Sequence, residues 1–326
     1  MQLHDLWFVL IAFLWTGYFF LEGFDFGIGI LTGLLARTPH ERGVLLATIG
    51  PVWDGNEVWM LTAVGATFAA FPDWYATFCS GFYLPVLAVL VCLIVRGVAL
   101  EYRHKREDER WRRTCDRCVF WTSLVCSALW GLIFANMVRG VPIGADGNVT
   151  GTPLGLLHPY ALLGALATPC LFTLHGALFA ALKTKGVVRD RARAKVRPLA
   201  YLTTAVAGAF LFWTQVHNGR QIYGLIVLGV AVVALVATVG QSAAHRDGRA
   251  FALSAAAVAA TVAVLFLSLF PDVMPSSTDP AWSLTVAGAA ASPYALKILT
   301  WVAAFMTPVV LAYQTWTYWV FRKRVG

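Results

Sequence analysis

Ile222–Val239 runs without a single charged residue, and eight other stretches of this chain are nearly as apolar. A helix needs about 20 residues to cross the roughly 30 Å hydrocarbon layer of a bilayer. Nine stretches meet that length: Leu6–Leu35, Pro51–Phe71, Tyr75–Val95, Val119–Val138, Pro159–Leu182, Leu199–Val216, Gln221–Gln241, Phe251–Phe270 and Pro293–Phe321. Only 13% of the 326 residues are charged, against about a quarter in a soluble domain. The expected fold is an all-α polytopic membrane protein with nine transmembrane helices, built as a single transmembrane domain over residues 1–326. The first stretch lacks a basic leader and an A-x-A site and carries acidic residues, so it does not read as a cleavable signal peptide.

The basic residues set an orientation. With loops numbered by these stretches, the odd loops and the C-terminal segment hold 22 of the 25 Lys and Arg. The positive-inside rule puts those segments in the cytoplasm and the N-terminus outside. The net charge of +8 is then accounted for by topology and anionic lipid headgroups; no nucleic-acid partner is needed. The mixed-charge run Glu101–Arg117 reads as a solvated helical extension.

Four carboxylates interrupt the apolar pattern. Glu22 and Asp25 lie in LEGFDFGIG, and Asp54 and Glu57 lie in GPVWDGNEVW. A charge within a bilayer costs at least a few kcal/mol, so such groups face a protein interior or an ion path. At about 1.5 Å of rise per residue, Glu22 and Asp25 sit about 24 and 28 Å below the outer edge, and Asp54 and Glu57 about 5 and 9 Å above the inner one. All four therefore fall in the cytoplasmic third, and each i,i+3 pair shares a helix face. Arg96 and His175 reach the same level and are candidate neighbours. Lys297 lies near the outer face and has no assigned role. Buried carboxyls that repel one another exchange protons readily, which suits a cytoplasm-facing proton entry. A structural network joining the first two helices is the competing reading.

Other features weigh less. Gly23 and Gly27, and Gly29 and Gly33, form two successive GxxxG spacings, expected where a membrane helix packs closely on a neighbour. Trp53 and Trp59 suit a membrane-edge belt or an apolar gas or quinone route. Cys115 and Cys118 form one CxxC, short of the four ligands that zinc requires. His158 and His175 share one helix at different depths, a poor arrangement for haem ligation.

GFDFGIG, GPVWDGNEVW, SGFYLPV and FPDVMPSS, together with the nine-helix layout, resemble subunit II of the cytochrome bd-type quinol oxidases over nearly the whole chain. The resemblance implies two four-helix bundles plus one peripheral helix, in a prokaryotic plasma membrane. It implies a heterodimer with subunit I, which would carry two b-type haems and one d-type haem; this chain would bind none. Membrane quinol would be the substrate, O₂ would be reduced to water, and protons would be taken from the cytoplasm. Small single-helix accessory subunits, lipids and a structural quinone are further partners it suggests. Asp54 would stand at the proton entry with Asp25 nearby, and Trp59 on an O₂ route. Glu57 occupies a place where other members have Gln, and the connection around His217–Arg220 is much shorter than in relatives with a long insertion. From the residues alone, a proton-coupled secondary transporter and a purely structural scaffold subunit are the alternatives.

Overall fold

The computed structural model describes residues 2–218 and 222–326. The short connection around His217–Arg220 therefore lies partly outside the described residues. Eleven α-helices account for most of the chain: α1 (Leu3–Leu34), α2 (Pro39–Ile49), α3 (Trp53–Ala70), α4 (Pro72–Gly81), α5 (Tyr83–Tyr102), α6 (Glu109–Arg139), α7 (Pro159–Lys183), α8 (Gly186–Asn218), α9 (Ile222–Ala243), α10 (Asp247–Leu269) and α11 (Pro293–Val320). Eight of these, all but α2, α3 and α4, are long and apolar enough to cross a membrane. The molecule is an all-α polytopic membrane protein. Each of the nine apolar stretches contributes to a helix; α3, the home of Asp54 and Glu57, has 18 residues.

The third stretch, Tyr75–Val95, is corrected. It straddles a break at Phe82, where α4 ends and α5 begins. Pro85 falls in the first turn of α5, where the missing N–H costs no helical bond. The helix then runs on to Tyr102, so Arg96 lies inside it and not at its end. The run Glu101–Arg117 is also broken: residues 103–108 separate α5 from α6, and the buried Arg103 side chain bonds Asp116 across the break at 2.6 Å.

Sequence chemistry sets the helix starts. Thr38 and Glu41 form a capping box at α2, with Pro39 at its first position, which satisfies N–H groups that a helix start leaves unpaired. Asp108, His158 and Ser292 cap α6, α7 and α11 with their side chains.

α1 is the central helix, packed against α3, α6, α7 and α10. Every residue from Leu21 to Thr32 is buried. Its glycines make this possible. A Cβ on Gly27 would overlap the Phe172 carbonyl oxygen and the backbone of Gly176, so α1 and α7 touch main chain to main chain. Gly29 and Gly33 seat Ser123 and Phe120 of α6 in the same way. α11 is the opposite case: Leu296 is its one buried residue.

The long loops 140–158 and 270–292 meet at one end of the bundle. Val141 bridges Ser276, and the hydroxyl of Ser276 donates to the Ile143 carbonyl at 3.0 Å. A short antiparallel pair, β1 (Asp272–Met274) with β2 (Leu284–Thr285), lies in the second loop. At the other end Arg191 bonds Glu41, Arg189 and Arg193 bond Asp247, and Thr184 bridges Val325. The odd-numbered loops and the C-terminal segment thus share one end.

Candidate functional site

Glu22 and Asp25 project from the most buried turn of α1, and neither is accessible to solvent. Arg96 of α5, equally buried, places Nη1 between Glu22 Oε1 and Glu57 Oε1, the latter at 3.1 Å. Its guanidinium also lies over the Phe26 ring, 4.7 Å from the centroid. One arginine thereby joins α1, α3 and α5.

Asn56 makes the second junction. Its Nδ2 donates to Asp25 Oδ2 at 2.7 Å. Its Oδ1 accepts from Gln314 Nε2 at 3.1 Å and from the Tyr318 hydroxyl at 2.8 Å, both on α11. Two donors on one oxygen fix the amide's orientation, so the NH₂ end must face Asp25. Asn56 is fully buried, and it links α11 to the centre of the bundle.

Two carboxyls, Glu22 and Glu57, therefore bond a single guanidinium, and a third, Asp25, lies one helical turn from Glu22 and is held by Asn56. One cation balances one carboxylate, and unbalanced charge in a bilayer is costly. Protons are the remaining means of balance. Glu22 Oε2, Asp25 Oδ1, Arg96 Nε and Arg96 Nη2 are buried and have no protein hydrogen-bond partner. Buried polar groups are otherwise nearly always bonded, so these atoms are spare donors and acceptors inside the site.

Asp54 stands apart. It is exposed on α3, one turn before Glu57, and makes no ion pair or hydrogen bond among the described residues. His175 bonds elsewhere: Nε2 to the Phe20 carbonyl at 3.1 Å and Nδ1 to Ser254 Oγ at 2.7 Å, with its ring stacked on Phe251 at 4.6 Å. It ties α1, α7 and α10 together and does not join the carboxylates. Both its nitrogens are engaged, and His158 Nδ1 accepts the Tyr160 N–H as a helix cap. Cys115 and Cys118 are free thiols.

Trp59 is buried against Gly17, in a place that a Cβ on Gly17 would occupy. It stands between two apolar cavities. One, of about 450 Å³, lies between α1, α3 and α11. The other, of about 930 Å³, lies between α1, α10 and α11 and reaches Gln314 and Tyr318.

Asn56, Gln314 and Tyr318 escaped the sequence reading because none carries a charge. Asn56 had a usable cue: an amide flanked by two acidic residues of the same short motif.

The family model described as "Cytochrome bd terminal oxidase subunit II" matches residues 3–321. The chain is 42% identical to cytochrome bd ubiquinol oxidase subunit 2 of Bacillus subtilis (strain 168) over 331 residues, covering 100% of this chain and 97% of that one. It is 32% identical to cytochrome bd-I ubiquinol oxidase subunit 2 of Escherichia coli (strain K12), covering 99% and 95%. Its fold matches a chain of the bd oxidase from Geobacillus thermodenitrificans with a TM-score of 0.78, at 20% identity, over 99% of this chain and 100% of that one.

Proposed function

Because the chain belongs to the cytochrome bd terminal oxidase subunit II family, and so is part of a quinol-oxidising oxidoreductase complex, we propose that its buried carboxyl cluster admits protons from the cytoplasm. The observation that carries this is the pairing of Arg96 with Glu22 and Glu57 beside the Asn56-bound Asp25. Asp54 receives the proton at the surface, Glu57 and Glu22 lie on the way in, and Asp25, held by Asn56, stores it.

The same reading sets the surroundings. The odd loops face the cytoplasm of a prokaryotic cell, with the N-terminus outside and nine crossings, α3 among them. Subunit I docks along the exposed apolar face of α3, which carries Val58, Leu61 and Phe68, and leaves Asp54 at the cytoplasmic end of that helix open to water. Haems held by subunit I, two of b type and one of d type, carry electrons from quinol to O₂. The smaller cavity beside Trp59 is the route by which O₂ reaches them. A structural quinone and single-helix accessory subunits are compatible with this arrangement.

A second reading has its own support. The Glu22–Arg96 pair is wholly buried, and it would tie α1 to α5 whether or not protons pass. Quinol-driven O₂ consumption by the purified two-subunit complex separates the two. Asp25→Asn and Asp54→Asn should each lower turnover strongly while the haem spectrum stays normal. Normal turnover in both variants, with normal assembly, would leave the cluster a structural tie.

A further inference from the structure

The larger cavity has one feature that an apolar gas route does not need. Its walls are apolar along α1, α10 and α11, but its mouth holds Lys183, Arg322 and Arg324, and no Asp or Glu lines it. Along α1 it extends from Phe13 to Phe24, about 16 Å at 1.5 Å per residue. That is about half of the ~30 Å hydrocarbon layer, or one leaflet. The volume of about 930 Å³ lies within the ~300–1,000 Å³ usual for ligand sites.

The cationic mouth is a built feature. Lys183 Nζ donates to the Phe321 carbonyl and, at 3.3 Å, to that of Lys323. Arg324 Nε donates to the Leu182 carbonyl at 3.0 Å, and the Val325 N–H to the Lys183 carbonyl at 2.8 Å. Arg322 is braced on Trp319, through its carbonyl at 2.6 Å and over its ring at 4.4 Å. The nearest acidic partner is Asp247, 3.7 Å from Arg324. Arg189 and Arg193 already bond that carboxylate at 2.7 Å. Positive charge is thus left over at the mouth. On α10 the cavity is lined by the small side chains of Ala255, Ala256 and Ala259.

We propose that this cavity binds one anionic phospholipid, with an acyl chain between α10 and α11 and its phosphate on Lys183, Arg322 and Arg324. Chain length, leaflet depth and charge all match that occupant. The proposal does not depend on proton transfer through the carboxyl cluster.

Native mass spectrometry of the purified two-subunit complex tests it, after exchange into phosphatidylcholine nanodiscs doped with phosphatidylglycerol. The wild type should retain one phosphatidylglycerol through detergent washing. R322Q/R324Q should weaken that retention by on the order of tenfold or more, since each basic residue near an anionic surface contributes about one fivefold step. Ala256→Phe, which fills the acyl slot and leaves the cations, should also lose it. A normal haem spectrum certifies assembly in each case. Equal retention by the arginine variant overturns the proposal, as does equal retention of phosphatidylcholine, or a quinone in place of the phospholipid. Retention by Ala256→Phe would reduce the site to surface adsorption and overturn the cavity assignment.

Discussion

Arg96 and Glu22 form an ion pair in which neither side chain touches solvent. Removing one member of such a pair strands the other, at a cost of about 3–5 kcal/mol. Arg96→Met should therefore reduce the yield and thermal stability of the complex sharply. Glu22→Gln combined with Arg96→Met should recover much of the loss. A thermal-melt double-mutant cycle measures the coupling; additive losses would show that the pair does not hold α1 to α5.

Asn56 satisfies three partners at once. Asn56→Leu keeps the size and removes all three bonds, leaving Asp25 without its donor and Tyr318 and Gln314 without their acceptor. Stability should fall by about 1–3 kcal/mol, and quinol-driven O₂ consumption should fall further than that loss of assembled complex explains. Turnover per haem equal to that of the wild type would remove Asn56 from the mechanism.

Gly27→Ala forces a Cβ into the Phe172 carbonyl and the Gly176 backbone, and neither can swing aside. Overpacking of this kind costs about 1–3 kcal/mol or more. Gly208 of α8 has nothing within 4 Å of a Cβ, so Gly208→Ala should be neutral or stabilise by up to ~1 kcal/mol. The two melting temperatures should move in opposite directions or differ clearly in size.

Glu41 supplies a pH dependence outside the membrane spans. The Arg37 N–H at 2.6 Å, then Arg191 and the Thr38 N–H, hold its carboxyl below the usual carboxylate range, against the opposing effect of burial. A carboxyl lowered on folding adds stability above its unfolded pKa and loses it as pH falls through the folded value. The stability difference between wild type and Glu41→Gln should thus be constant near neutrality and shrink on acidification. A difference that grew in acid would refute the assignment.

Apolar length made the helical architecture legible, and charge made part of the site legible. Glu22, Asp25, Glu57 and Arg96 were visible because a charge in an apolar run is conspicuous, and helical rise put them at a common depth. Asn56, Gln314 and Tyr318 were not, because a neutral polar side chain leaves no mark on such a count. His175 met the depth criterion but faces α10; depth along a helix says nothing of direction around it. α2 and α4, of 11 and 10 residues, are too short to show as membrane-spanning stretches, and the break at Phe82 was hidden because both sides of it are apolar.

The glycine contact of α1 with α7 has a mechanical meaning. Main chain resting on main chain leaves no compressible side-chain layer, so the helix bearing Glu22 and Asp25 is held in a stiff frame. α11, with Leu296 as its one buried residue, is the compliant part, and its Gln314 and Tyr318 grip Asn56 from that side. α11 is therefore the least buried of the eight long apolar helices. A small outward swing of α11 would loosen Asn56 while leaving the spacing of Glu22, Asp25 and Arg96 untouched.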